Sequence, residues 1–217
     1  MASEERSVFY ETQNTYSTLN KLTDETEYVW LACHGLGHLS RFFIRHFKAL
    51  DARKNFVVAP QAPSKFYQSD DFKYIGASWL TRENTKVENE NIMRYFDAVA
   101  EKEGLLNGKK LVVFGFSQGV SVGVRWLASR KISCEHLIVN AGKIPEEQQP
   151  ENFKDCQPKK VTLVYGKQDE YLTDERIVAE REKAKVLFPD AVFEEVAHQG
   201  KHKVYLGDLN SFFNLHL

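Results

Sequence analysis

KLVVFGFSQG, residues 110 to 119, is an apolar, β-branched run that leads straight into a G-x-S-x-G pentapeptide centred on Ser117. A strand entering such a pentapeptide reads as a nucleophile elbow: the strand turns sharply into a helix, and the serine hydroxyl projects from the turn. Gly115 and Gly119 leave room for that turn, and Ser117 is the candidate nucleophile. A second match, GVSVG around Ser121, overlaps the first. Ser117 directly follows the strand run containing Val112 and Val113, whereas Ser121 lies a full turn later, inside the amphipathic segment SQGVSVGVRWLASR. Gly119, Ser121 and Gly123 are therefore read as small residues that let the helix approach the sheet.

Outward from this motif, strand-like runs alternate with helical patterns. YVWLAC (28 to 33), FVVAP (56 to 60), LVVFGF (111 to 116), HLIVNA (136 to 141), VTLVYG (161 to 166) and AVFEEVA (191 to 197) are short and apolar, as strands of a largely parallel sheet are. Helices are expected near 39 to 51, 87 to 104, 118 to 130, 174 to 188 and 205 to 215, the second placing Val87, Ile92, Tyr95, Phe96 and Val99 near one face and stopping at Gly104. This alternation predicts an α/β three-layer sandwich over residues 1–217 as one domain, without a large cap. The early SVFYETQNTYSTL suggests extended edge strands with a hairpin over Gln13 and Asn14. Residues 60 to 84 lack periodicity but carry Phe66, Tyr67, Phe72, Tyr74 and Trp79. A structured loop bordering a site is expected there, the alternative being a satellite aromatic cluster over the sheet edge.

A serine hydroxyl needs a histidine base, itself oriented by a carboxylate. In a hydrolase of this strand order the acid comes next in the chain and the histidine last. VTLVYG is followed by KQDEY, so Asp169 is the candidate acid, with Glu170 in reserve. After the last strand, AVFEEVAHQGKHKV offers His198 and His202. His202 is preferred because it follows Gly200 on a loop able to reach over the sheet, whereas His198 follows the strand directly. Backbone donors for an oxyanion are expected from Gln118, after the serine, and from Leu36 in the HGLG loop at 34 to 37. His34 is read as a structural loop histidine.

Composition narrows the partners. The 217 residues carry a formal charge of −1 with both signs interspersed, so no basic stripe points to nucleic acid. No run is apolar enough to span a bilayer, and the acid-bearing start lacks the marks of a secretory signal, which makes a cytoplasmic location the expectation. Cys33, Cys134 and Cys156 form no C-x-x-C pair, so reduced thiols are expected, and Cys33 sits inside an apolar strand run, so neither a redox nor a nucleophilic role is expected of it. The pairs His34/His38 and His198/His202 have metal-like spacing, but each encloses a glycine and neither carries the glutamate of H-E-x-x-H. No metal or nucleotide cofactor is expected.

With these residues in place the chain resembles the phospholipase/carboxylesterase family of small serine hydrolases, which includes acyl-protein thioesterases. The marks are HGLG at 34 to 37, P-x-A-P at 60 to 63, Trp79, GFSQG at 115 to 119, G-x-x-D at 166 to 169 and G-x-H at 200 to 202, in this order through nearly the whole chain. It departs where the family commonly has an acidic residue after HGLG, and an aromatic and an aspartate after the tryptophan; here stand His38, Leu80 and Thr81. The resemblance implies a compact α/β hydrolase that cleaves carboxylic esters or thioesters through an acyl-serine, without metal or cofactor. The substrate would be a small-molecule ester with an apolar acyl or aryl group, with Trp79, Phe66 and Tyr67 as candidate binding residues. The competing reading is a non-catalytic domain of the same fold, serving as a ligand-binding or interaction module. An imidazole base must be neutral, so ester hydrolysis should fall on acidification through the ordinary histidine range, and a rate profile flat down to about pH 4 would exclude that base.

Overall fold

The computed structural model describes residues 3–207. Within them run strands β1 (Tyr16–Leu19), β2 (Tyr28–Cys33), β3 (Asn55–Pro60), β4 (Ser64–Tyr67), β5 (Ile75–Ser78), β6 (Lys110–Phe116), β7 (His136–Asn140), β8 (Lys160–Gly166) and β9 (Val192–His198). The α-helices are α1 (Ser40–Phe43), α2 (Thr85–Glu103), α3 (Gln118–Arg130) and α4 (Asp174–Leu187). Seven strands make one sheet in the order β1-β3-β2-β6-β7-β8-β9, and β4 and β5 form a separate two-stranded ribbon. All pairings in the large sheet are parallel except the edge strand β1, which runs antiparallel to β3. The inner strands β2, β3, β6, β7 and β8 are buried on both faces, which is why they are almost continuously apolar, whereas the edge strands β1 and β9 carry polar residues.

Alternation along each strand divides the core in two. One face buries Val29, Leu31, Val113 and Leu163 against α2, α3 and α4. The other buries Trp30, Val112 and Phe114 against Phe43 and Phe47, with Val204, Tyr205 and Leu206 packed beside them. The expected three-layer sandwich is therefore present. Helix α2 ends at Gly104 in the left-handed conformation (φ 64°), the stop its sequence predicts. Among the described residues no helix is long and apolar enough to cross a membrane.

Four local expectations change. The helix expected over 39 to 51 is α1 followed by a 3₁₀ stretch over Ile44–Ala49. Ile44, Phe47 and Leu50 are spaced by three and all buried, and a three-residue turn puts that spacing on one face. The N-terminal hairpin is absent: only β1 is a strand, and Asn14 donates its side-chain amide to the Gln61 carbonyl (2.7 Å) instead of forming a turn. Val87 lies exposed in the first turn of α2, while Ile92, Phe96 and Val99 are buried. Residues 64 to 78 form the ribbon, paired from Ser64↔Ser78 to Tyr67↔Ile75, where the sequence predicts a loop without strands. The helix expected over 205 to 215 falls outside the described residues apart from its first three positions.

The chain leaves β2 toward β3 on one side, while β6 pairs with β2 on the other, in register from Tyr28↔Lys110 to Cys33↔Gly115. Strand order thus reverses between β2 and β6, and the crevice beyond their carboxyl ends is where open α/β sheets take ligands. HGLG leaves β2 there and Ser117 leaves β6 there. The first turn of α3 closes onto β2 because position 119 is glycine: a Cβ would stand 2.1 Å from the Cys33 carbonyl oxygen. Gly123 faces the same way, its Cβ position 3.0 Å from a Val113 methyl, whereas Ser121 lies on another flank and its hydroxyl is bonded by Arg125. Gly119→Ala should lower the unfolding free energy by about 3 kcal/mol or more in urea titrations, and Gly123→Ala, which meets a movable methyl group, by about 1 kcal/mol.

Candidate functional site

The three residues picked from separate loops meet at the carboxyl edge of the sheet. Ser117 lies between β6 and α3 with φ 51° and ψ −118°, a conformation that non-glycine residues avoid and that the surrounding structure must hold. Its N–H donates to the Asn140 carbonyl at the end of β7 (2.9 Å). Its Oγ is 3.0 Å from His202 Nε2, and His202 Nδ1 is 2.8 Å from Asp169 Oδ2. A carboxylate only accepts, so His202 donates to it from Nδ1, and in the neutral ring Nε2 is the nitrogen left to accept from the serine hydroxyl. The Asp169 side chain is fully buried, and its second oxygen accepts the Tyr171 N–H (2.8 Å), so its charge is hydrogen-bonded on both sides. The His202 ring is 18 % exposed and flanked by Phe116 (centroids 5.1 Å apart) and Tyr171 (4.9 Å).

A glycine at the end of β8 brings the loops of Asp169 and His202 together. A Cβ on Gly166 would stand 2.2 Å from the Gly200 carbonyl oxygen, so the loop after β9 can lie against the end of β8 only because position 166 bears no side chain. Lys167 N–H donates to His198 O (2.8 Å) and Gln168 N–H to Gly200 O (3.1 Å), stitching the loops side by side. Glu170, the reserve acid, is exposed. His198 packs locally, in keeping with its place directly after the strand: Nδ1 accepts the Gly200 N–H (2.9 Å) and the ring stacks on Tyr205 at 4.3 Å.

The HGLG loop lies against the serine. An ideal Cβ on Gly35 would be 3.2 Å from Ser117 Cβ. Among the described residues the Leu36 N–H has no acceptor, and the Gln118 N–H opens α3, where no intrahelical acceptor exists. Two free amides beside a serine hydroxyl can hold a developing oxyanion. His34 is wholly buried; Nδ1–H donates to Gly35 O (2.8 Å) and Nε2 accepts the Ala62 N–H (3.1 Å). Burial drives its pKa down to about 4, so it stays neutral and structural. The same two bonds occupy both ring nitrogens, which removes it as a metal ligand. His38 stacks on Phe116 at 5.3 Å, and burial, with His46 and His202 nearby, lowers its pKa too. Burial pushes the Cys33 thiol far up, leaving it inert.

The candidate binding residues divide. Trp79 does not line a cleft. It is 1 % exposed, packed on His34 (5.0 Å) and Phe96 (5.3 Å), and its indole N–H donates to His34 O (2.7 Å). A tryptophan buried this way needs an acceptor for its N–H, and the loop supplies it. Phe66 and Tyr67, on β4, are 40 % and 54 % exposed. Their ribbon is fastened to the HGLG loop: Gly37 N–H donates to Ala77 O (2.8 Å), and the Gln68 side chain donates to Gly37 O (2.5 Å).

Three supporting side chains escape a reading of the sequence. The Gln118 side chain accepts the Trp79 N–H (2.8 Å) and donates to Leu80 O (2.6 Å), joining the elbow to the end of the ribbon. Gln61 accepts the Ser40 N–H (2.9 Å) and donates to Ala62 O (3.2 Å). Asn140 donates to Tyr205 O (2.5 Å), anchoring the segment beyond His202. Asn140 alone carries a signal, as a polar residue ending the apolar run HLIVN.

No protein-family model matches the chain, and no curated protein sequence does. Among solved structures it is similar to esterase PE8 (17% identity over 95% of this chain and 100% of that one, TM-score 0.69). It is also similar to acyl-protein thioesterase 2 of Zea mays (14% identity, 94% and 97% covered, TM-score 0.68) and to a phospholipase/carboxylesterase from Dyadobacter fermentans (17%, 95% and 97%, TM-score 0.64). At such identities the likeness carries the fold, which is that of the α/β-hydrolases.

His34 makes the site's scaffold sensitive to acid. Its pKa is about 4 when folded and 6.5 at the ordinary value, so between these limits the unfolded chain binds the extra proton and stability falls as pH falls. The contribution is fully present above pH 6.5 and, at roughly 3 kcal/mol, lost toward pH 4. Urea unfolding of His34→Gln should show a pH dependence flatter than that of the wild type by about this amount over the same window.

Proposed function

We propose that this chain is a serine hydrolase that cleaves carboxylic esters through an acyl-serine intermediate. One observation carries the reading: a serine in strained backbone, a histidine ring nitrogen 3.0 Å from its oxygen, and a buried carboxylate 2.8 Å from the other ring nitrogen. The order of the motifs resembles the phospholipase/carboxylesterase family, and the likeness to solved esterases and a thioesterase supports the same class. Thioesters and lysophospholipids are within the same chemistry.

In this mechanism Ser117 Oγ attacks the ester carbonyl as His202 Nε2 takes its proton. Asp169 holds the ring and stabilises the imidazolium, while the Leu36 and Gln118 amides bind the tetrahedral oxyanion. The imidazolium then protonates the leaving alcohol as the carbon–oxygen bond breaks. Water, deprotonated by His202, attacks the acyl-serine, and collapse of the second intermediate releases the acid and restores Ser117. Phe66 and Tyr67 offer apolar surface to an acyl or aryl group.

The test is hydrolysis of p-nitrophenyl esters from acetate to palmitate, with fluorophosphonate labelling alongside. Ser117→Ala should lose turnover by on the order of a million-fold and all labelling, while Ser121→Ala, altered on another flank of the helix, should retain both. Undiminished activity in Ser117→Ala would overturn the assignment. A folded wild type with neither turnover nor labelling would instead be a non-catalytic binding module of this fold.

A further inference from the structure

Away from Ser117, a cavity of about 310 Å³ opens between β1, the start of α1, the end of β3 and the ribbon. None of Ser117, Asp169, His202, Leu36 or Gln118 lines it. Its volume lies at the small end of ligand pockets. Arg41 and Lys65 reach it from opposite elements, and no carboxylate is among the residues that line it. Neither cation has a carboxylate partner among the described residues; the Arg41 guanidinium lies over the Phe42 ring at 4.9 Å.

Beneath the cations sit two hydroxyls, Ser17 Oγ and the buried Ser40 Oγ, 3.1 Å apart. One donates to the other, which leaves one hydroxyl hydrogen for a guest acceptor. The Ser40 amide offers nothing further, because Gln61 already accepts it. Leu39 and Ile75 supply apolar wall. Two unpaired cations at a concave, partly apolar surface concentrate anions, and a guanidinium is shaped to take both oxygens of a carboxylate. The apolar wall favours an organic anion over inorganic phosphate.

We propose that this cavity binds a small organic carboxylate, with its oxygens between Arg41 and Lys65 and its carbon chain against Leu39 and Ile75. The guest would bridge the supports of the loop that presents Leu36. Arg41 lies in α1, the element that follows that loop, and Gln61 Nε2 lies 3.4 Å from His34 Nε2. Lys65 rides on the ribbon whose Gln68 holds Gly37 O. The site is independent of whether Ser117 is a nucleophile.

The experiment is calorimetric titration of sodium hexanoate, with sodium phosphate as comparison, into wild type, Ser117→Ala and Arg41→Gln/Lys65→Gln at low salt. Saturable hexanoate binding is expected in wild type and Ser117→Ala, weakening as salt rises. In Arg41→Gln/Lys65→Gln it should be weaker by roughly tenfold or more. Both substituted side chains are exposed, so the unliganded melting temperature should hold and report intact folding. The proposal is overturned by the absence of saturable binding in wild type up to about 10 mM. Equal binding by the double variant, or phosphate binding as tightly as hexanoate, would overturn it as well. Ester turnover by the double variant without hexanoate should match wild type, which separates this site from the hydrolytic one.

Discussion

The close approach of α3 to β2 is the contact on which the rest of the site depends, and it is set by the space a side chain would occupy. Position 119 has no room for a Cβ beside the Cys33 carbonyl, and position 115 none beside the Val120 backbone. With both glycine, the first turn of α3 can descend to the level of the strand ends and the chain between them is forced through positive φ at Ser117. The cost of that strained residue is of the order of 1–3 kcal/mol and is offset by a helix and two strands buried around it. The serine hydroxyl therefore sits at the end of a deeply buried strand, at the point where strand order reverses, and not on a flexible surface loop.

The remaining groups are held by polar bonds between loops whose backbones would otherwise be unsatisfied. His34 ties the loop after β2 to Ala62, its carbonyl receives the Trp79 indole, and Gln118 reaches back to Trp79 and Leu80. The HGLG, P-x-A-P, tryptophan and GFSQG stretches are thus neighbours in one buried network. In such a network an unmatched member costs a desolvation penalty of roughly 1–3 kcal/mol, so each bond constrains the others. Trp79 belongs to this scaffold, and the exposed aromatic surface beside the crevice comes from the ribbon instead.

Much of this is legible residue by residue. The runs that form β2, β3, β6, β7 and β8 are apolar because both sheet faces are covered, and buried strands announce themselves that way; β9, at the sheet edge, is only partly covered. Asp169 and His202 can be singled out because each lies on a loop just past a strand. Local signals mislead where tertiary contacts decide. A turn over Gln13 and Asn14 is absent because the Asn14 side chain is spent on Gln61. The ribbon carries no clean alternation because β4 is exposed along its whole length while β5 is buried from Gly76 to Ser78, and the three-residue spacing of Ile44, Phe47 and Leu50 overrides an α-helical period.

The sequence by itself determined the layered α/β architecture, the strained serine turn and which acid and histidine stand on the loops that reach it. These follow from steric permission and hydrophobic period, which are properties of short stretches. Tertiary structure decided that Trp79 is covered, how Gln61, Gln118 and Asn140 brace the loops, and that Arg41 and Lys65 share a cavity. Those outcomes depend on hydrogen bonds and charges between residues distant in the chain, whose partners are specified only when the sheet has brought its loops together.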